Sequence, residues 1–462
     1  MRILLVIYDN ESYISYLPVG AAYIASALRN AGHQVCVYSQ DVHHYPDEHL
    51  TQYLDANQFD VVGLGVIAGY FQYRRLLGIS AAINASKQRP FYVLGGHGPS
   101  PDPAYFLRKT QADAVVLGEG EETVVELLGA LAARTSLAEV KGLAYMDGSR
   151  VVVNPRRPLI ADIDQLPWPA YDLFPMQYYR LGRTPHAGNL DFVAPVLSGR
   201  GCPFRCTFCY RMDEGFRPRS SGGIVEEIRF LKQNHGITYI DFADELLMSS
   251  VDRTTALCEA FLEAGLGVKW ACNGRLNYAR KGLLELMKRA GCVFINYGIE
   301  SMDDRVLRNM RKSLCTAQII EGVEATLAAG ISPGLNVIFG NIGDNRETLR
   351  KGVEFLLKYD DLAQIRTIRP VTPYPGSELY RHAVDSGLLD GCEDFYERKH
   401  TNSDLLSVNF TELSNEEFHG ALLEANSILL RNHFSRGLSA TIETAKRLYL
   451  RGDASFRGFR PA

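Results

Sequence analysis

The sequence predicts an α/β protein in which two parallel-sheet domains follow one another and a helical tail ends the chain. Three observations support this prediction. Short apolar runs alternate with amphipathic stretches up to about residue 135, and they do so again, with longer spacing, from about residue 191 to 400. Parallel strands need crossover connections, and helical stretches of this length supply them. A proline-punctuated segment separates the two series, as expected between domains.

The composition is typical of a globular cytoplasmic protein. A chain of 462 residues is too long for a single hydrophobic core, so we expect two or three domains. Hydrophobic residues make up 46 % of the chain and charged residues 22 %. A net charge of −4 gives no general attraction to nucleic acid. The opening apolar run is shorter than a signal-peptide core, and no other run approaches the about 18 apolar residues of a membrane span. Nine cysteines, mostly scattered singly, indicate a reducing compartment rather than a disulfide framework.

The first series predicts a doubly wound sheet over residues 1–135. Its strand candidates are RILLVIY, QVCVYS, VVGLGVI, FYVLGG and AVVLG. The stretch VGAAYIASALRNAG predicts a helix that ends at Gly32, since glycine commonly terminates helices. Such sheets bind ligands at the carboxyl ends of their strands, where the glycines of this segment are concentrated.

Residues 136–190 predict a linker that contains a hairpin. The stretch KGLAYMDGSRVVVNPRRP has the pattern of two strands that turn at Asp147 and Gly148. It is followed by DIDQLPWPAYDLFP, whose prolines favour an irregular connector packed against both neighbours.

The second series predicts a partial (β/α)6 barrel of the TIM type over residues 191–400. Its strand candidates are FVAPVLSGR, ITYIDFAD, VKWACNG, CVFINYGIE, SPGLNVIFG and QIRTIRPVT. Six units are too few to close an eight-stranded barrel, so we expect an open one with its chemistry at the carboxyl ends of the strands. Residues 401–462 predict a mostly helical C-terminal region.

The stretch SGRGCPFRCTFCYRMDEGF, which begins at Ser198, contains three cysteines in a CxxxCxxC spacing: Cys202, Cys206 and Cys209. A structural zinc site would use four ligands, and a redox dithiol would need only two. Burial in a core is disfavoured by the neighbouring arginines and proline. An iron–sulfur cube normally takes four thiolates, so three would leave one iron open to bind another molecule. This last hypothesis explains the number of cysteines.

The cysteine spacing, with Phe208 just before the last cysteine, resembles the radical S-adenosylmethionine superfamily. Companion motifs occur in the matching order: DFADELL, ACNGRL, NYGIES, NVIFGNIGDNRETL and TPYPGSELY. In that superfamily a 4Fe–4S cluster with one open iron cleaves S-adenosylmethionine to a 5′-deoxyadenosyl radical. The resemblance implies that S-adenosylmethionine is bound by Phe208, Asp244, Glu245, Asn273, Arg275, Glu300, Ser301, Ile338 and Gly340.

Within that set the resemblance implies separate roles. Asp244 and Glu245 would hold the methionyl amino group, and Glu300 with Ser301 would bind ribose or carboxylate. Phe208 and the stretch 338–340 would flank the adenine. For each carboxylate the alternative is an ordinary salt bridge or helix cap.

The first series resembles the Rossmann-like cobalamin-binding domain of cobalamin-dependent radical S-adenosylmethionine enzymes. The motifs that carry this resemblance are LPVGAAYIASAL, GLGVI, VLGGHGPS and VLGEGEET. Together with the barrel motifs it covers about residues 1–400. It implies cobalamin contacts at Pro18, Gly20, Gly63, Gly65, Gly95, Gly96, Gly118 and Glu119. A dinucleotide site is disfavoured because no GxGxxG follows the strands.

One departure concerns the cobalt ligand. Cobalamin domains with the DxHxxG motif carry a ligating histidine after the first strand, whereas YDNESYISYLPVG contains none. We interpret His43 and His44 in the partial echo DVHHYP as loop or surface residues. The sequence therefore predicts a cobalt without a histidine lower ligand.

These resemblances imply an enzyme that methylates an unactivated carbon of a small molecule or peptide through a 5′-deoxyadenosyl radical and methylcobalamin. A cyclase or rearrangement enzyme with the same cofactors is the first alternative. An RNA-modifying methylthiotransferase is disfavoured because there is no second cysteine triplet, and a non-enzymatic cobalamin carrier because the cluster motifs are present.

The catalytic residues and the substrate stay open at this stage. Tyr210, Arg366 and Arg369 are candidates for substrate contacts, because they follow the cysteines or lie near the end of the sixth strand. The enzyme should also need an external reductant of the flavodoxin or ferredoxin type. We expect neither a membrane span nor a nucleic-acid partner.

Overall fold

The protein is described by a computed structural model that covers residues 1–11, 16–212 and 215–453. The last part of the predicted C-terminal region, from residue 454 onward, lies outside the described residues. No helix of the described part is both long and apolar enough to cross a bilayer.

The N-terminal part is a seven-stranded sheet with helices on both faces. Its strands are β1 (Arg2–Ile7), β2 (Gln34–Ser39), β3 (Val61–Gly65), β4 (Phe91–Gly95), β5 (Ala114–Val116), β6 (Leu143–Asp147) and β7 (Arg150–Val153). Its helices are α1 (Val19–Asn30), α2 (Gln40–His43), α3 (Asp47–Ala56), α4 (Tyr70–Ala85), α5 (Pro103–Thr110) and α6 (Glu121–Ala133). The strand order is β2-β1-β3-β4-β5-β6-β7, with the first five parallel. The strand order reverses between β1 and β3. Ligands of doubly wound sheets bind at such a point, so the carboxyl ends of β1 and β3 are the expected ligand site.

The hairpin that the sequence assigned to the linker belongs to this first sheet. Strand β6 pairs antiparallel with β5, placing Tyr145 opposite Ala114, and β7 pairs with β6. The buried residues Leu143 and Ala144 explain the pairing, because they cover an edge strand of only three residues. The first sheet therefore extends past residue 135.

The second sheet is the expected open barrel. Its parallel strands are β8 (Val193–Val196), β11 (Tyr239–Phe242), β12 (Lys269–Gly274), β13 (Cys292–Glu300), β14 (Ser332–Phe339) and β15 (Arg369–Pro370), and β9 (Gly199–Cys202) and β10 (Gly215–Pro218) form a separate antiparallel pair. The order is β15-β14-β13-β12-β11-β8. The connecting helices are α8 (Ser221–His235), α9 (Val251–Glu263), α10 (Lys281–Arg289), α11 (Asp304–Asn309), α12 (Thr316–Ala328) and α13 (Arg346–Lys358).

The sixth strand is shorter than the pattern QIRTIRPVT suggests. Only Arg369 and Pro370 pair with β14. Upstream, the Arg366 side chain donates to the Pro333 carbonyl over 2.9 Å. This contact replaces part of the strand ladder at that position, and Pro370 itself has no N–H to donate.

Helices complete the chain. A short helix α7 (Met176–Tyr179) precedes the barrel, and after it come α14 (Glu378–Asp385), α15 (Gly391–Asp394), a π-helix (Phe395–Lys399) and α16 (Asn415–Arg451). Helix α16 begins with a capping box in which Ser414 and Glu417 exchange hydrogen bonds. Its first half buries Phe418 against Phe339, with ring centroids 4.8 Å apart, so the helical tail packs on the barrel.

Candidate active site

The three cysteines lie on one loop between β9 and β10. Cys202 ends β9, and the amide of Cys209 donates to the Cys206 carbonyl over 3.3 Å. The amide of Thr207 donates to the Met310 carbonyl over 3.0 Å, which ties the loop to the end of α11. Because α11 follows β13, this contact holds the cysteines at the carboxyl end of the barrel strands.

Gly201 allows the loop to start where it does. Its φ is +82°, and a Cβ there would lie 2.5 Å from the Gly215 carbonyl oxygen. Only glycine therefore lets β9 and β10 close together just ahead of Cys202.

The thiols influence one another. The pKa of Cys209 is raised to about 12, chiefly by burial and to a smaller extent by the nearby Cys206 and Glu245. Burial also raises the pKa of Cys202, with Glu245 and Cys206 contributing in the same direction. Iron would reverse these shifts, because a coordinating thiol is deprotonated outright. Enough protein surrounds the Cys209 thiol to raise its pKa, yet part of the residue reaches solvent. A cluster can therefore approach it from that side.

The donor set fits an iron–sulfur cube. Among the described residues, no group of three or more His, Cys, Asp or Glu side chains is arranged to hold a single metal ion. A cubane cluster instead takes each thiolate at a separate corner, which three thiols spread along one loop can provide.

Asp244 and Glu245 follow β11 but point to different surroundings. Asp244 is buried, and its carboxylate accepts hydrogen bonds from the amide of Ser198 (2.6 Å), from the Ser198 hydroxyl and from the amide of Gly199 (3.3 Å). Burial raises its pKa to about 6, although the bonds from Ser198 oppose the shift. Asp244 thus anchors the turn before the cysteine loop, whereas Glu245 is exposed and acts electrostatically on the thiols.

Glu300 ends β13 in a strained conformation, with φ at +65°. Its carboxylate accepts from the Lys312 ammonium over 2.8 Å, and both side chains are about one-tenth exposed. A Cβ at Gly298 would lie 2.2 Å from the Glu300 carboxylate, so the pair depends on that glycine. The Lys312 ammonium also lies 5.9 Å from the Phe208 ring, and Ser301 is buried beside Glu300.

Sequence reasoning missed Lys312. It stands in an ordinary polar stretch after α11, and nothing in its spacing separates it from a surface lysine. Only the fold brings it to Glu300.

Arg275 stands beside the cysteine loop. Its guanidinium lies 3.5 Å from the Phe204 ring centroid and donates to the Lys312 carbonyl. Burial lowers the pKa of Arg275, whereas Cys206 raises it. A cation here favours thiolate over thiol. Asn273, near the end of the preceding strand β12, donates to the main-chain carbonyl of Asp244 over 2.7 Å.

The end of β14 matches the adenine prediction only in part. Ile338 is half-buried and lies next to β15. Gly340 has φ at +99°, and its amide donates to the Asp344 carboxylate over 3.0 Å. A Cβ at Gly340 would lie 2.9 Å from the Phe418 ring. Gly340 is thus required by packing, and its amide is already committed.

The carboxyl edge of the first sheet presents backbone without side chains. Gly65 at the end of β3 and Gly20 in the first turn of α1 are exposed, with no atom within 4 Å of a Cβ built there. Pro18 precedes α1, Gly95 ends β4, and the apolar side chain of Ile67 is 54 % exposed nearby in the chain. Open glycines beside an apolar side chain fit a broad, flat ligand such as a corrin ring.

At three of the predicted cobalamin glycines the fold itself requires glycine, and their contact with cobalamin stays a prediction. A Cβ at Gly63 would lie 3.0 Å from the Leu5 side chain, within the sheet packing. Gly96 has φ at +96°, and a Cβ there would lie 2.6 Å from the Val66 carbonyl oxygen. Gly118 has φ at +77°, which favours glycine in the turn after β5.

The two histidines of DVHHYP are exposed, as predicted. His43 ends α2, and His44 has φ at 52°. The His44 ring lies 2.8 Å from the Asp9 carboxylate, so it forms a surface ion pair when protonated.

Glu119 contacts the barrel rather than the open edge of the first sheet. Its carboxylate accepts from Arg200 (2.8 Å), from Arg217 (2.8 Å) and from the amide of Ile160 (2.8 Å). Arg200 also reaches Glu121 at 2.5 Å. Burial alone would raise the pKa of Glu119, but hydrogen bonds from the two arginines outweigh it, and the pKa is lowered. Because Arg200 and Arg217 lie on β9 and β10, these ion pairs tie the cysteine loop to the first sheet.

Tyr210 lies at the same junction. Its ring packs edge-on to His97 of the first domain, with centroids 6.0 Å apart. A Cβ at Gly376 would lie 2.5 Å from the Tyr210 ring, so glycine is needed there. The residue directly after Cys209 is therefore held between the two domains.

Arg366 and Arg369, the two arginines predicted to contact substrate, lie in different surroundings. Arg366 is buried, and it binds the Pro333 carbonyl and the Asp361 carboxylate, each over 2.9 Å. Pro333 lies at the start of β14, so Arg366 lies at the end of the barrel opposite the cysteines, which argues against the predicted substrate contact. Arg369 pairs in register with Ile338 near the mouth and forms an exposed ion pair with Asp404 at 2.9 Å.

Two protein families match this arrangement: the B12 binding domain over residues 7–128 and the radical SAM superfamily over residues 196–356. An uncharacterized methyltransferase of Pyrococcus horikoshii is 31 % identical over 84 % of this chain and 84 % of its own. The anaerobic magnesium-protoporphyrin IX monomethyl ester cyclase of Cereibacter sphaeroides is 28 % identical over 80 % of this chain and 61 % of its own. The structure of the radical S-adenosylmethionine methyltransferase TsrM from Kitasatospora setae, with cobalamin and a 4Fe–4S cluster, superposes with a TM-score of 0.73 at 18 % identity, over 92 % of this chain and 88 % of that one.

The fold and the site thus define an enzyme with a cobalamin-binding domain joined to a radical domain. The chain belongs to the cobalamin-dependent radical S-adenosylmethionine methyltransferases. Its cofactors are a 4Fe–4S cluster, S-adenosylmethionine and cobalamin.

Proposed function

We propose that this enzyme transfers a methyl group to an unactivated carbon of a small-molecule or peptide substrate. The observation that carries the proposal is the link between Glu119 of the first domain and Arg200 and Arg217 beside the cysteine loop. Radical formation and methyl delivery act on one carbon atom, so the two halves must be held at a fixed separation.

When bound, the cluster supplies the electron that splits S-adenosylmethionine, and cobalamin supplies the methyl group. Together they would exchange a substrate C–H bond for a C–CH3 bond: the hydrogen would leave in 5′-deoxyadenosine, and the methyl group would come from the cobalt–carbon bond of methylcobalamin. A second S-adenosylmethionine would restore that methyl group, and an external reductant would supply the two electrons of the cycle. The thiols of Cys202, Cys206 and Cys209 would hold the cluster. Arg275 favours their ionised form, and the loop's contacts with the barrel keep them in place.

S-adenosylmethionine would meet Glu245 beside the thiols and the Glu300–Lys312 pair at the end of β13. Glu245 is exposed and lies close enough to the thiols to influence their pKa, so its carboxylate can reach a methionyl amino group bound beside the cluster. The Glu300 carboxylate is oriented by Lys312, and Phe208 lies near the same ammonium. This set replaces Asp244 and Gly340 of the sequence prediction, whose polar groups are engaged elsewhere.

Cobalamin would lie on the open carboxyl edge of the first sheet, over Gly20, Gly65 and Gly95. In this division residues 1–135 carry the cobalamin site and the hairpin of 143–153 extends their sheet. The rest of 136–190 links the domains, 191–400 carry the cluster, and the described part of 401–462 covers the barrel. We also propose a cytoplasmic enzyme that takes electrons from a flavodoxin or ferredoxin type of reductant. Exposed Cys209 marks the side from which that electron can enter.

The cyclase among the relatives makes an oxidative cyclisation the second candidate. One experiment separates the two. The protein is purified without oxygen, its iron, sulfide and cobalamin are measured, and it is incubated with S-adenosylmethionine deuterated in the methyl group and an extract of the source cells. A product that carries the deuterated methyl group supports methyl transfer. Formation of 5′-deoxyadenosine with a changed substrate but without the label supports cyclisation.

A further inference from the structure

The inner face of the barrel carries a set of polar side chains that lies below the cysteine loop. On β13 the outward-facing Ile295 and Tyr297 join the large core under the helices. The alternate residues Phe294 and Asn296 therefore face the barrel interior. The same alternation holds on the neighbouring strands, so the interior can be followed level by level.

The lowest level is apolar. Val193, Tyr239, Ala271 and Phe294 form a separate buried cluster, with one side chain from each of β8, β11, β12 and β13. This floor closes the interior at the end remote from the cysteines.

Above the floor, three asparagines form a ladder across three strands. The Asn296 amide donates to the Asn273 carbonyl oxygen over 3.0 Å, and the Asn336 amide donates to the Asn296 carbonyl oxygen over 2.7 Å. The Asn336 nitrogen also donates to the Tyr297 carbonyl over 3.2 Å. Both hydrogens of the Asn336 amide are thus committed. Asn336 is exposed, and its side-chain oxygen is what it offers to the interior.

Asp241 faces the same space. It lies two residues after Tyr239 on β11, and its strand neighbours in register are Pro195 and Ala271, which leave room around its carboxylate. Over the described ranges 1–11, 16–212 and 215–453, no hydrogen bond or ion pair engages the Asp241 side chain, and burial is the only influence on its pKa. The titratable groups whose pKa values Asp241 raises are the phenols of Tyr239 and Tyr16 and the thiol of Cys272, and none of the three becomes a cation at any pH.

Such a carboxylate is costly to the free protein. Burial raises the pKa of Asp241 to about 6, so the group is still mostly ionised at neutral pH. An ionised group that lacks a partner destabilises the fold, and such groups concentrate at functional sites. Two cations near the mouth are already engaged by other carboxylates, Lys312 by Glu300 and Arg369 by Asp404.

We propose that Asp241 and the side-chain oxygen of Asn336 select a substrate with a protonated amine, which is held as a hydrogen-bond donor above the apolar floor. The inference rests on the proposed function and names the substrate class of the same site. An ammonium group supplies the charge that Asp241 lacks and the donors that both oxygens require. A carboxylate or phosphate at the same place would meet a like charge at Asp241.

The test uses the full-length holoenzyme and S-adenosylmethionine deuterated in the methyl group. A small-molecule and peptide extract of the source cells is divided into cation-exchange, anion-exchange, neutral and lipid fractions. We expect the label in the cation-exchange fraction. Asp241→Asn should lower its transfer about 100-fold, because a buried charge-assisted contact is lost. Asp241→Glu should restore part of the transfer.

Two readouts separate binding from damage to the enzyme. Asp241→Asn should leave the formation of 5′-deoxyadenosine in the absence of substrate unchanged, and the matched change Asp252→Asn, on the exposed start of α9, should leave both readouts unchanged. Label in the anion-exchange, neutral or lipid fraction, or full transfer by Asp241→Asn, overturns the inference and leaves methyl transfer standing. Label in no fraction, with 5′-deoxyadenosine still formed, overturns the proposed function and this inference with it.

Discussion

The ammonium of Lys312 lies 2.8 Å from the carboxylate of Glu300, twelve residues earlier in the chain, and the two groups share a site that is nearly closed to solvent. The conformation of Glu300 is strained, and the adjoining Gly298 has no side chain that would block the pair. An ion pair that is built at the expense of backbone strain indicates a carboxylate that is held in one orientation for a purpose.

The first prediction concerns this pair. Lys312→Met should destabilise the protein by about 3–5 kcal/mol, because it leaves the Glu300 carboxylate buried without its cation. It should also weaken S-adenosylmethionine binding, since the carboxylate is no longer fixed. Thermal unfolding and anaerobic calorimetry measure the two effects. The double variant Glu300→Gln with Lys312→Met should recover stability but not binding; recovered binding would assign the pair a purely structural role.

The second prediction concerns the cluster. Cys206→Ala should abolish the iron–sulfur absorbance and the cleavage of S-adenosylmethionine, while cobalamin stays bound to the first domain. The control is Cys36→Ala, which removes a half-buried thiol from β2 and should preserve both signals. Cleavage retained by Cys206→Ala would contradict the assignment of this cysteine as a cluster ligand.

The helices and strands of this protein can be predicted from its sequence more accurately than the contacts that their side chains make. Buried strands of parallel sheets are short apolar runs in the sequence. The predicted strand CVFINYGIE therefore has the same first and last residues as β13, Cys292 and Glu300. The predicted strand QIRTIRPVT is longer than β15. The contact that interrupts it joins Arg366 to Pro333 on another strand, and the local sequence does not reveal it.

The hydrogen-bond and ion-pair partners of side chains cannot be predicted from the sequence for the same physical reason. Whether a carboxylate after a strand faces a ligand or another side chain depends on residues far away in the chain. Asp244 binds the Ser198 turn, and Glu119 binds Arg200 eighty-one positions away. Asn336 and Asn296 become one ladder only when β13 and β14 align. Local spacing carries no information on such pairs.

The third prediction concerns cobalamin. Gly65→Trp should weaken cobalamin binding strongly without loss of thermal stability, because a side chain there would project into open space at the end of β3. Gly129→Trp is the matched control, since Gly129 is also exposed with open space around it but lies on α6. Gly96→Val should instead lower stability, because its Cβ would meet the Val66 carbonyl oxygen. Cobalamin titration followed by absorbance measures all three variants. Unchanged binding by Gly65→Trp would place the cofactor elsewhere.

The fourth prediction concerns the link between the domains. Arg200→Met deprives Glu121 of its cation and leaves Glu119 with Arg217 alone. The cysteine loop keeps its contacts with the barrel, so 5′-deoxyadenosine should still form at close to the wild-type rate. Methyl transfer depends on the distance between the domains, and it should fall by roughly 100-fold, because a displacement of about 1 Å can have that effect. The ratio of methylated product to 5′-deoxyadenosine is therefore the measurement. Arg350→Met removes an exposed arginine that pairs with two glutamates on α13, and it should leave the ratio unchanged. An equal fall of both products in Arg200→Met would show that Arg200 supports the cluster itself rather than the alignment of the two domains.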